Sequence, residues 1–129
     1  MVGDGLGLVD GTGVAGAADF GAGVAGAGLP LIATGGVRSG LDAAKAIALG
    51  ATLVGVGRPL LQAALRGEQS VEQWISDFEL ELRTAVFLAG VRRVVDLPKA
   101  GLVITGASRQ WVEQLGYRRA VLRQKRQRR

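Results

Sequence analysis

Two short apolar runs, Leu29–Thr34 and Thr52–Val56, each break into glycine and lie one helix-length segment apart. A strand followed by a helix and then by a second strand re-enters its sheet parallel to the first, through a right-handed crossover. The segment between the runs reads as that helix. Ser39 is placed to cap it, Leu41, Ala44, Lys45, Ala48 and Leu49 recur at helical spacing, and Gly50 supplies the stop. After the second run, Gly57-Arg58-Pro59 opens another helix, with proline where its missing N–H does no harm. The pattern is βαβα, and the expected fold class is α/β with parallel strands.

A longer helix should follow. Ser70 with Gln73 three residues on has the spacing of a capping box, and Val71, Trp74, Ile75, Phe78, Leu82, Ala85, Val86 and Ala89 keep a 3.6-residue period behind it. Glu72, Asp77, Glu79 and Glu81 fall on the opposite side, where a solvated face is the expectation rather than a catalytic pair of acids. Further on, Leu102–Gly106 reads as a short extended piece and Ala107–Leu115 as a last helix ended by Gly116.

The two ends of the chain obey other rules. Of the 21 glycines, ten fall in the first 28 residues, and the decapeptide GTGVAGAADF at 11–20 is nearly repeated as GAGVAGAGLP at 21–30. Such a segment buries little and is costly in entropy to order. Gly11, Gly13 and Gly16 formally satisfy a dinucleotide fingerprint, but the pattern recurs at Gly21, Gly23 and Gly26, and no acidic strand end follows about 20 residues on. A Rossmann-type NAD site is therefore a minor alternative. At the other end, seven of the 16 basic residues occupy positions 118–129, so the body carries 9 − 11 = −2 and the net +5 comes from the tail. That tail reads as a solvated extension first and as a nucleic-acid or acidic-membrane contact second, since beyond Tyr117 it has no aromatic residue on which bases could stack. The expected divisions are a Gly/Ala-rich segment over 1–28, a folded body over 29–117 and a basic tail over 118–129.

Several chemistries drop out. Without cysteine there is neither a disulfide framework nor a thiol nucleophile, and without histidine the chain lacks the commonest general base and metal ligand. No apolar stretch approaches the roughly 20 residues of a membrane span, and no basic leader precedes Asp4, so a cytoplasmic protein is expected.

The positive signal lies at the ends of the two strands. Gly35-Gly36-Val37-Arg38 closes the first, and Gly57-Arg58 closes the second, with Gly57 falling 21 residues after Gly36. In a parallel α/β barrel the C-terminal strand ends form the active face, and the last two of these loops are the usual phosphate site. Glycine lets backbone N–H groups approach phosphate oxygens, a helix N-terminus adds partial positive charge, and arginine adds a charge-assisted hydrogen bond. A pair of glycines can also serve only to turn a tight corner. Two such corners, each with an arginine, favour anion capture.

These residues also carry a family resemblance. The stretch IATGGVRSGLDAAKAIALGATLVGVGRPLLQAAL closely resembles the C-terminal barrel strands of the type 2, FMN-dependent isopentenyl-diphosphate isomerases, and FLAGVRRVVDLPKAGLVITG and RQWVEQLGY are similar to that family's closing helices. The FMN-dependent α-hydroxy-acid oxidases share the GGVR…GRP pattern and are less similar over RQWVEQLGY. The resemblance spans roughly Pro30 to Tyr117 and implies a partial TIM barrel, half of the (βα)8 fold, made of its C-terminal βα units with closing helices. It implies that Gly35, Gly36, Val37, Arg38, Gly57 and Arg58 bind the FMN phosphate. It further implies conversion of isopentenyl diphosphate to dimethylallyl diphosphate in isoprenoid biosynthesis by the complete enzyme, with NADPH and Mg2+ as further requirements and a homo-oligomeric state. The family's histidine, glutamine and glutamate positions for substrate and Mg2+ have no matched counterpart here, so no catalytic or metal residue is nominated. At 129 residues the chain is also short of the about 250 that a whole barrel takes. The expectation is an FMN-binding part of an isomerase, with 1–28 a degenerate remnant; a noncatalytic half-barrel interaction module and an α-hydroxy-acid oxidase-like fragment are the alternatives.

Overall fold

The computed structural model describes residues 30–100 together with Val103, Gln110 and Gln114. The readings of 1–28 and of the basic tail lie outside the described residues. So do those of Leu102–Gly106 and Ala107–Leu115, except that Val103 has no regular structure and Gln110 and Gln114 are helical.

Strand β1 (Ile32–Thr34) pairs in parallel with β2 (Leu53–Gly55), in the register Ile32 to Leu53, Ala33 to Val54 and Thr34 to Gly55. Both strands are shorter than the apolar runs that contain them. Thr52 pins the start of the pair: its N–H donates to the Leu31 carbonyl at 2.8 Å, and its hydroxyl accepts from the Leu31 N–H at 3.1 Å. Between the strands runs α1 (Gly40–Ala48), capped by Ser39, whose Oγ accepts from the Asp42 N–H at 3.2 Å. Gly50, at φ 114°, carries the chain out of the helix through a conformation that only glycine adopts freely.

Helix α2 (Arg58–Ala64) begins with Pro59 in its first turn. Helix α3 (Glu68–Leu88) then starts two residues before Ser70, so the expected capping box does not exist. Its N-cap is Gly67, whose φ of 112° turns the chain sharply between α2 and α3 and whose carbonyl accepts from the Ser70 and Val71 N–H groups. Gln73, the other half of the expected box, donates instead to Asp77 Oδ1 at 2.9 Å. A glycine that can reverse the chain displaced a side-chain cap that the spacing alone allowed. A 3-10 helix, Val94–Lys99, closes the described body.

The core is built from small residues. Nine apolar residues are buried among those described, and six are alanine: Ala33, Ala43, Ala44, Ala46, Ala51 and Ala63. Ala33, Ala46 and Ala51 gather with Val54 where α1 covers one face of the sheet. A second cluster joins Ala44 of α1 and Val86 of α3 to Leu97 of the 3-10 helix, flanked by Ile47, Leu82 and Val94. The period-3.6 stripe of α3 therefore does face α1, though Ile75 and Ala89 at its margins remain exposed. Trp74 and Phe78 stack with ring centroids 5.0 Å apart.

Leu97 is placed by an ion cluster on its own 3-10 turn. Hydrogen bonds from Arg93 and Lys99 pull the Asp96 carboxyl down to about 2, because both partners stabilise its charged form.

Candidate functional site

The register sets the geometry. Because Thr34 stands opposite Gly55, the loops that follow the two strands leave the sheet side by side at the same edge, with strands about 4.8 Å apart. Gly35-Gly36-Val37-Arg38 leaves β1 there, and Val56-Gly57-Arg58 leaves β2. Thr34 also closes over the second corner, since a Cβ on Gly55 would lie 3.0 Å from its Oγ1.

The first corner is made by its glycines. Gly35 and Gly36 have φ of 87° and 74°, two consecutive left-handed residues that β-carbon sterics would penalise in any other amino acid. Val37 then buries its side chain, leaving only its backbone to the surface, while Arg38 is exposed. The N–H groups can be accounted for in order. That of Arg38 donates to Asp42 Oδ2 at 3.1 Å, and that of Gly40 to Glu81 Oε2 at 2.8 Å. Among the described residues, the N–H groups of Gly35, Gly36, Val37 and Ser39 meet no acceptor. Adjacent N–H groups such as those of Gly36 and Val37 at a glycine turn form the kind of concave site that takes an anion.

The second corner is simpler. Gly57 precedes α2 at φ −116° with open space where a Cβ would stand, and makes no side-chain cap; Arg58 is exposed at the first helical position. Among the described residues, neither Arg38 nor Arg58 is engaged in an ion pair. The six residues singled out from the sequence thus lie on two neighbouring loops at one sheet edge. They divide into backbone donors at Gly36 and Val37, turn formers at Gly35 and Gly57, and exposed arginines at Arg38 and Arg58.

Sequence reasoning missed two acids at this edge. The Ser39-x-x-Asp42 spacing could have revealed Asp42, whose carboxylate receives the Arg38 N–H and lies 3.9 Å from Lys45. Glu81 is exposed, as the solvated face of α3 requires. Its carboxylate also reaches the first residue of α1, a partner 41 positions away that no local pattern could indicate.

The chain is similar to known proteins. A family model described as FMN-dependent dehydrogenase matches residues 17–104. An isopentenyl-diphosphate delta-isomerase of Methanothermobacter thermautotrophicus is 48% identical over 89 residues, covering 69% of this chain and 26% of the relative. One from Thermococcus kodakarensis is 49% identical over 87 residues, covering 67% and 23%. Among solved structures, a mandelate oxidase variant with 2-hydroxy-phenylacetamide superposes with a TM-score of 0.64 at 35% identity, over 74% of this chain and 28% of that one. A mandelate oxidase mutant with a C4a-OH-FMN adduct gives 0.61 at 36%, over 72% and 29%. The matched part spans about a quarter of the length of these curated relatives.

Proposed function

The chain belongs to the FMN-dependent dehydrogenase family, and from that membership we propose that its two glycine corners bind the phosphate of FMN. One observation carries the reading: the N–H groups of Gly36 and Val37 and the exposed Arg38 and Arg58, none of them partnered among the described residues, lie on the two loops that leave the C-terminal ends of adjacent parallel strands. That donor set fits a phosphate dianion. The amides would fix its position and the arginines would supply charge-assisted hydrogen bonds. Gly35 and Gly57 would hold the turns, and the α/β units would form part of a (βα)8 barrel.

The finer reading is an isopentenyl-diphosphate isomerase, supported by relatives of that name at 48–49% identity against 35–36% for the mandelate oxidases. In it, bound FMN supplies proton transfer at the substrate alkene without net oxidation, and the residues of this chain grip the cofactor. Mg2+ and NADPH belong to the same reading. Among the described residues no three His, Cys, Asp or Glu side chains converge on a metal position, and none is assigned one. No helix among the described residues is long and apolar enough to cross a membrane, and a cytoplasmic location accompanies the isomerase reading.

Titrating the purified chain into FMN while following flavin fluorescence tests the proposal. Saturable quenching that inorganic phosphate competes away is the expected result, and fluorescence unchanged at millimolar protein would overturn it.

A further inference from the structure

Three acids of α3 make polar contacts, and only one of them leaves the helix. Asp77 accepts from Gln73, and Glu79 lies 3.6 Å from Arg83, both within a turn of the same helix. Glu81 accepts the N–H of Gly40 at 2.8 Å and so joins α3 to the first residue of α1, two positions beyond the Arg38 that ends the glycine corner. The approach is close because Gly40 is buried without a side chain. A Cβ there would overlap the Phe78 carbonyl oxygen and the Leu82 nitrogen, and would lie 2.9 Å from the Glu81 Cβ.

Together these bonds tie the far end of the loop at alternate residues. Asp42 holds the Arg38 N–H, Ser39 Oγ holds that of Asp42, and Glu81 holds that of Gly40. Among the described residues, the donors of the stretch without an acceptor are those of Gly35, Gly36, Val37 and Ser39, of which Gly36 and Val37 lie together at the turn. A loop through two left-handed glycines has many conformations open to it, and the acceptors behind it restrict which way its amides point.

We propose that Glu81 is a positioning residue for the phosphate corner: by accepting the Gly40 N–H it clamps α1 to α3 and orients the amides of Gly36 and Val37. The role rests on the reading of that corner as a phosphate cradle. Glu81 touches no ligand in this role. Its acceptor oxygen matters and its charge does not, so glutamine can replace it and alanine cannot.

The test uses the full chain with Glu81→Ala, Glu81→Gln and, as a control on the same helix, Glu79→Ala. FMN affinity is read by fluorescence titration, and amide hydrogen exchange is read residue by residue. Glu81→Ala should weaken FMN about tenfold, the scale of one lost hydrogen bond. It should also speed exchange at Val37–Asp42 about tenfold while leaving α2 and the C-terminal half of α3 unchanged. Glu81→Gln should restore both, and Glu79→Ala should move neither. Unchanged exchange at Val37–Asp42 in Glu81→Ala would overturn the proposal, as would a uniform rise across α1 and α3 or failure of glutamine to rescue. If the unmodified chain takes up no FMN, the phosphate reading falls, and local exchange with its rescue by glutamine alone decides whether Glu81 holds the loop.

Discussion

Gly40 lies against the backbone of Phe78 so closely that the two helices carrying them leave no room for a methyl group. The obstructing atoms are the Phe78 carbonyl oxygen and the Leu82 nitrogen, and backbone inside a helix cannot turn aside as a flexible side chain does. This crossing brings α3 over the start of α1 and puts Glu81 within reach of it.

Gly40→Ala should therefore destabilise the chain by about 3 kcal/mol, at the upper end of overpacking costs. Gly57→Ala is the matched control, with open space around the missing Cβ and a negative φ, and should cost less than about 1 kcal/mol as an N-cap change. Urea denaturation of both variants checks this. Equal losses would mean that the crossing is not tight in solution.

Arg38→Ala should weaken FMN binding by roughly 1.5–3 kcal/mol, the range for hydrogen bonds to charged groups, because its guanidinium has no ion-pair partner among the described residues. Its amide is already held by Asp42, so the loss should come from the side chain alone. Isothermal calorimetry with FMN measures it, and an unchanged dissociation constant would remove Arg38 from the site.

Asp96 should give the fold a dependence on acid. Its carboxyl is held at about 2 by Arg93 and Lys99, below the ordinary range near 4 of an unfolded chain. A depressed folded value means that the contribution is complete above about pH 4 and disappears as pH falls through about 2. Melting curves of the unmodified chain and of Asp96→Asn should be separated at pH 6 and should converge near pH 2. Arg93 and Lys99 are exposed, so added salt should narrow the gap as well. A separation that ignored both pH and salt would contradict the assignment.

The purified chain should self-associate. Ile32 and Leu53 stand side by side on the sheet face away from α1, each 60% exposed, and the alanine-rich core offers little area to offset that exposure. Sedimentation at several concentrations should show dimers or larger species, or else a loose monomer with weak near-UV dichroism. A single monomer with a sharp cooperative melt would defeat this expectation.

What the sequence determined by itself was local. Alternation of apolar runs with glycine punctuation made the order of β1, α1, β2 and α2 legible, and Ser39, Gly50 and Pro59 marked helix ends that the structure keeps. These signals act within one turn of chain, where sterics and the nearest hydrogen bond decide the conformation. The same reasoning failed at Ser70, because a left-handed Gly67 could start α3 earlier and no window of sequence weighs one cap against another. It also did not anticipate the 3-10 helix that brings Leu97 into the core. The division of labour at the strand ends was decided only by tertiary structure. In the Gly35–Gly40 stretch the Gly40 N–H finds its acceptor on Glu81, 41 residues further on. That contact exists because two helices cross where one of them has no side chain, and such a coincidence has no period in sequence for pattern reading to detect.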